Sequence, residues 1–216
     1  MSKLKNILES RKIHIGIFLI WLLHISGLIG ILSGQAAWFV PKTPWNLMLM
    51  ALLFIWVFPL DTIRKTALFA FICVAGVSAE WIGVHTGFLF GSYHYGENLG
   101  PKLDGIPYLI GVNWALLSFC SGCVSRNLPL PTWGRILVGA LLLVGLDFFM
   151  EGLAPALDFW RFQGGLPTLW NYICWFVLAI LFLWGYEKLD IQGNRRFSLH
   201  LLGAQFVFFM SLYLFF

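Results

Sequence analysis

The stretch TALFAFICVAGVSAEWIGVHTGF, Thr66–Phe88, decides how this chain folds. As a helix rising about 1.5 Å per residue it is long enough to cross about 30 Å of hydrocarbon. Its single carboxylate, Glu80, is the residue that needs explaining. A carboxylate is costly in lipid unless it is paired, neutralised or turned to a wet cavity. Gly76, Glu80, Gly83 and Gly87 recur at helical spacing, so the acid lies on a stripe of small residues. Small stripes face neighbouring helices rather than lipid. The stretch therefore predicts a membrane-crossing helix with Glu80 turned into a bundle.

The rest of the chain agrees. Of 216 residues, 59% are apolar and 11% charged, against about 25% charged in a soluble domain. That deficit excludes an ordinary cytosolic globule, a disordered chain and a nucleic-acid binder. Twenty-one Phe and eleven Trp point to lipid or an apolar ligand as the surroundings. Four Cys are too few for a disulfide scaffold. The reading is an all-α, polytopic integral membrane bundle in the cell membrane. About seven spans are predicted, over roughly 13–33, 44–60, 66–88, 106–125, 132–152, 168–186 and 197–216. The second is short enough to be re-entrant. The N-terminal run is too long for a signal-peptide core and lacks a small-x-small cleavage site, so it is expected to remain as a span.

Basic residues set the orientation. With the N-terminus cytoplasmic, the inner side holds Lys3, Lys5, Arg11, Lys12, Arg64, Lys65, Arg126, Arg135, Lys188, Arg195 and Arg196. The outer side holds Lys42, Lys102 and Arg161. Acids lean the other way: Glu80, Glu97, Asp104, Asp147, Glu151 and Asp158 fall on or near the outer end. Residues 1–216 read as one transmembrane domain, with outer loops 91–107 and 152–167 capping the bundle. Those loops are expected to contain short interfacial helices.

Asp147 lies in LVGLDFFMEG, and it and Glu80 both fall about 21 Å from the inner surface. That is near 9 Å below the outer surface of a roughly 30 Å core. Glu151, four residues beyond Asp147, shares its helix face. Asn113 enters from the outside to comparable depth. His24 falls near mid-membrane and reads equally as a packing histidine or a participant. His85, His94 and Glu97 lack a familiar ligand spacing, so no metal is expected. Cys120 and Cys123 form CSGC within a span, where Cys is an apolar filler. There is no GxGxxG, Walker lysine motif or nucleophile elbow, hence no expected cofactor. The last span has no Lys between Phe197 and Phe216 to carry retinal.

Two segments carry a resemblance: EWIGVHTGFLFGSYHYGENLGPKLDGIPYLIGVNWALL, Glu80–Leu117, and DFFMEGLAPALDFWRFQGGLPTLWNYICWFV, Asp147–Val177. Their E-W-I-G-x-x-T-G, F-G-x-Y-x-Y, L-G-P-K-L-x-G-I-P, N-W, D-x-x-x-E, A-P, D-F-W and N-Y-x-x-W-F elements resemble the membrane-bound carotenoid hydratases of the γ-carotene and bisanhydrobacterioruberin type. The resemblance covers about half the chain, from the third to the sixth span. It implies addition of water across the terminal C1–C2 double bond of an acyclic ψ-end group, giving a tertiary alcohol. Partners would be the carotenoid, membrane lipid and other carotenoid-biosynthesis enzymes.

Such chemistry needs a carboxylic acid, a base for water and a polarisable wall. A carboxyl in an apolar pocket can stay protonated at neutral pH, and two close carboxyls can share a proton. The expected roles are Asp147 as acid and Glu80 as its partner or the base for water, with the sequence leaving open which carboxyl is the acid. Glu151 is the third carboxyl. Asn113 and Asn171 lend polar support, while Trp81, Trp114, Tyr93 and Trp160 form an aromatic wall. His85, His94 and Asp158 rim a water and proton path. The alternatives are another acid-initiated enzyme such as a lycopene cyclase, or a non-catalytic carotenoid or lipid carrier.

Overall fold

The computed structural model describes residues 2–216, with side chains from residue 7 onward. The side chains of Lys3 and Lys5, which enter the charge argument, lie outside the described residues. The fold is helical. α1 (Ser2–Gly30) ends in a π turn at Ile31–Gln35, where Gly34 takes φ 82° and reverses the chain. Such a φ is natural for glycine, which has no Cβ to clash. A short α2 (Ala36–Phe39) and a 3-10 turn at Val40–Lys42 lead into α3 (Thr43–Val57). α4 (Ile63–Thr86) starts at Thr62, whose hydroxyl accepts from the Lys65 amide, and stops at Gly87 with φ 67°. There follow α5 (Ile110–Arg126), α6 (Thr132–Leu153), α7 (Leu169–Lys188) and α8 (Arg195–Phe215).

Among the described residues, five helical stretches are long and apolar enough to cross a membrane: Ile7–Val57, Ile63–Thr86, Thr132–Leu153, Leu169–Lys188 and Arg195–Phe215. The first is 51 residues long and contains the reversal at Gly34. α5, with 17 residues, is shorter than these yet is the most enclosed helix, with Trp114 to Cys123 buried without a break. It packs against α4, α6, α7 and α8. Close approach explains its position: a Cβ on Gly111 would lie 2.4 Å from the Cys73 carbonyl of α4.

The outer loops differ from the expected interfacial helices. They hold four short strands: β1 (Tyr93–Tyr95), β2 (Lys102–Leu103), β3 (Ile106–Pro107) and β4 (Trp160–Phe162). β2 and β3 form a small hairpin. β1 pairs antiparallel with β4, placing Tyr93 opposite Phe162 and Tyr95 opposite Trp160. The aromatic alternation in SYHYG and DFWRF is a strand signal, and it outweighs helix formation here. The two loops are thereby joined into one cap.

Candidate functional site

Glu80 is buried on α4 and receives three hydrogen bonds. Tyr93 Oη and Tyr95 Oη both donate to Oε2, the latter at 2.7 Å. Trp114 Nε1 donates to Oε1 at 2.9 Å. The flanking glycines make room for these donors. A Cβ on Gly76 would lie 3.0 Å from Trp114 Cγ, and one on Gly83 would lie 2.9 Å from the Tyr93 phenol oxygen. The small-residue stripe is thus the seat of two of the three side chains that hold the carboxylate, Trp114 and Tyr93. Burial first, and then the neighbouring Glu80 charge, push the Tyr93 and Tyr95 phenols far above their ordinary range. Both remain neutral donors.

Glu151, on α6, is the second held carboxylate. Trp160 Nε1 donates to Oε2 at 2.7 Å, and Asn171 Nδ2 donates to Oε1 at 2.8 Å. These donors come from the cap and from α7, so Glu151 joins α6 to both. Asp147 differs. It is buried one helical turn below Glu151, and its Oδ2 has no hydrogen-bond partner among the described residues.

Glu80, Asp147 and Glu151 line a single cavity of about 40 Å³. Asn113, Tyr93, Trp160 and Asn171 line it as well. The matched depth inferred from helical rise corresponds to convergence on one chamber. A cavity of this size has room for water, since about 10–15 Å³ holds one molecule. Phe90, Tyr93, Tyr95, Trp160, Phe162 and Trp175 supply the aromatic part of the wall, whereas Trp114, stacked on Trp175, is not itself on the lining. Trp114 stacks on Trp175 with centroids 3.7 Å apart and planes 6° from parallel. Phe90 tilts toward both, at 6.2 and 6.1 Å. Phe90 adopts φ 66°, a region that costs a bulky residue about 1–3 kcal/mol. Burial of its ring against the site offsets that cost.

Other candidates lie elsewhere. Trp81 is exposed and donates to Asp104 Oδ2 at 2.7 Å. His85 stacks on Trp81 at 4.5 Å and lies 3.3 Å from the same carboxylate. These three tie the β2–β3 loop to the outside of α4. Trp81 therefore faces away from the chamber, because it is one residue round the helix from Glu80. His94 points outward between Tyr93 and Tyr95, as strand alternation requires. Asp158 accepts from the Glu97 amide at 2.9 Å and pins the two loops together. None of Trp81, His85, His94 and Asp158 lines the chamber.

Tyr95, Trp175 and Phe90 were not among the assigned site residues. The Y-x-Y spacing carried the signal for Tyr95, since alternate strand residues share a face. Trp175 lies one helical turn from Asn171, which placed it on the same side of α7. His24 is buried against Phe208, away from the carboxyls, and its Nδ1 meets the Ile20 carbonyl. Cys120 and Cys123 are buried free thiols. No group of three or more His, Cys, Asp or Glu suited to a metal occurs among the described residues.

A family model described as carotenoid biosynthesis protein matches residues 44–216. The bisanhydrobacterioruberin hydratase of Haloarcula japonica is 26% identical over 153 residues, covering 65% of this chain. The match covers 52% of that relative, so this chain spans about half its length. No solved structure gives a significant match. The chain belongs to the carotenoid biosynthesis protein family.

Proposed function

We propose that this member of the carotenoid biosynthesis family is a hydratase that adds water to the terminal C1–C2 double bond of an acyclic carotenoid end group. The observation that carries the reading is the difference among three carboxyls around one aromatic chamber. Glu80 and Glu151 accept hydrogen bonds from fixed donors, whereas Asp147 Oδ2 has none among the described residues. A buried carboxylate oxygen that no donor reaches costs far more as an unpaired charge than as part of a neutral acid, so this site favours the protonated group. Asp147 is thus assigned as the acid.

Its proton goes to C2, and the π electrons of the double bond form the new C–H bond. The tertiary cation left at C1 lies among Trp175, Trp160 and Phe90, whose rings stabilise positive charge. Water forms the C1–O bond. Glu80 takes the proton that this water sheds, and its return to Asp147 closes the cycle. No net proton or electron is consumed, so the residues present suffice for the chemistry. A chamber of about 40 Å³ suits an end group and water better than the folded chain a cyclase must hold. A carrier would have no use for three buried carboxyls. The distant hydratase relative supports the same class of reaction.

We further propose seven crossings of the cell membrane with the N-terminus cytoplasmic. This counts Ile7–Val57 as two passes and α5 as one, and the basic-residue distribution supports it.

The test is expression in cells that make an acyclic carotenoid, followed by mass analysis of the pigments. The wild type should yield pigment heavier by one water per reacted end. Asp147→Asn and Glu80→Gln should lower hydration by at least about 10²-fold, while Glu97→Gln, on the exposed loop, should behave as wild type. Unchanged pigment with the folded wild type, or near-normal turnover by both deep variants, would refute the assignment.

A further inference from the structure

A second cavity, of about 370 Å³, adjoins the carboxyl chamber, and Ile110, Asn113, Met150 and Trp160 line both. Its walls come from α1, the segment after Gly34, α3, α8 and the cap, and they are mostly apolar. Leu23, Leu49, Leu157, Phe159, Phe208 and Phe209 are typical. At its far end it reaches the outside of the bundle. Trp38, Trp45 and Leu49 line it and are exposed, at 58%, 65% and 41%. Exposed Trp is the residue of the membrane interface. Lys42 sits among them, its Nζ 3.2 Å from the Trp38 ring centroid, where a cation meets headgroups.

We propose that this cavity is the channel that binds the polyene chain, entered sideways from the outer part of the bilayer between α1 and α3. It passes one end group at a time through the neck formed by Asn113, Met150 and Trp160. The inference rests on the proposed hydratase reading for its substrate and adds the route and the direction of entry. Its occupant follows from continuity and chemistry. A long, apolar, membrane-dissolved chain matches an apolar channel open to lipid, and the adjoining chamber is too small to admit more than its tip. The volume lies in the usual range of about 300–1,000 Å³ for ligand sites. Trp160 links the two compartments, because it lines both while its indole N–H holds Glu151.

The experiment fills the channel far from the carboxyls. Gly27→Leu projects a side chain from α1 toward Phe208, which a Cβ would meet at an ordinary 3.4 Å. Leu49→Trp does the same from α3. Turnover of a full-length acyclic carotenoid is compared with that of a short acyclic terpene carrying the same end group. In each filled variant the ratio, long over short, should fall by at least about tenfold. Leu141→Trp, on an exposed face of α6 outside both cavities, should leave the ratio unchanged. A ratio unaltered in both folded channel variants would overturn the proposal. Pigment retained on purification supplies a readout that does not depend on hydration. Asp147→Asn should keep bound carotenoid, and adding Gly27→Leu should strip it. Equal retention in the two would place the chain elsewhere, whatever reaction the chamber performs.

Discussion

Glu80 shows how a buried carboxylate is made tolerable. Three donors surround it, from two phenols and an indole. A Gln in its place can still satisfy them: its carbonyl accepts from Trp114, and its amide donates to phenol oxygens, which accept as readily as they donate. A Leu cannot, and strands three buried donors at a cost on the order of 1–3 kcal/mol each. Thermal unfolding in detergent should therefore place Glu80→Gln near wild type and Glu80→Leu far below it, or unassembled. Equal stability of the two would mean that these hydrogen bonds do not hold the cap. Glu151→Gln belongs with the milder change, because the Asn171 amide can turn its oxygen toward the new donor.

Among the elements, α4 and the β1–β4 ladder carry the site together. Gly83 allows the Tyr93 phenol, Phe90 and the Leu89 carbonyl to lie within about 3 Å of where a Cβ would stand. Gly83→Ala must push that packing apart, costing about 1–3 kcal/mol. Loss of melting temperature with loss of hydration is the expected pair of readouts. The β2–β3 loop is held differently, at the exposed Asp104. The Trp81 indole N–H first, and the His85 charge after it, hold the Asp104 carboxyl below its ordinary range. The folded pKa lies below the unfolded one. This contribution is therefore present above the unfolded value, near pH 4, and is lost as pH falls through the folded value. In hydrogen exchange, the protection factors of the amides in residues 96–106, corrected for the intrinsic exchange rate at each pH, should fall on acidification through that window. Asp104→Asn should make that protection independent of pH in this range.

For the molecule as a whole, the arrangement of charge makes the sharpest demand. The ends of α5, α6 and α7 remote from the cap meet in an ionic cluster in which Arg126 contacts Asp190 and Arg135 approaches Glu187 at 3.7 Å. The opposite end carries the cap and the carboxyl chamber. With seven crossings, a reporter fused after Phe216 should be active only in the exterior compartment. A cytoplasmic signal would require one span fewer and would move the last helix. The folded-back segment after Gly34 makes this test decisive, because it determines whether Ile7–Val57 counts once or twice.

Apolar runs, the glycine stripe and isolated acids were enough to read a helical membrane protein and the face on which Glu80 lies. These are local properties, since each depends on helical rise, periodicity and the cost of charge in lipid. The D-x-x-x-E spacing likewise placed Asp147 and Glu151 on one face without any tertiary knowledge. The cap was not legible in this way. Tyr93 meets Glu80, and Trp160 meets Glu151, only because β1 pairs with β4 across a long separation in the chain. Pairing of that kind has no signature in either segment alone. The same holds for the difference among the carboxyls. All three sit in similar apolar surroundings in the sequence, but donors from the cap, α5 and α7 reach two of them and leave an oxygen of Asp147 without a partner. Which buried acid is held and which is free depends on where distant donors arrive, and only the packed bundle decides that.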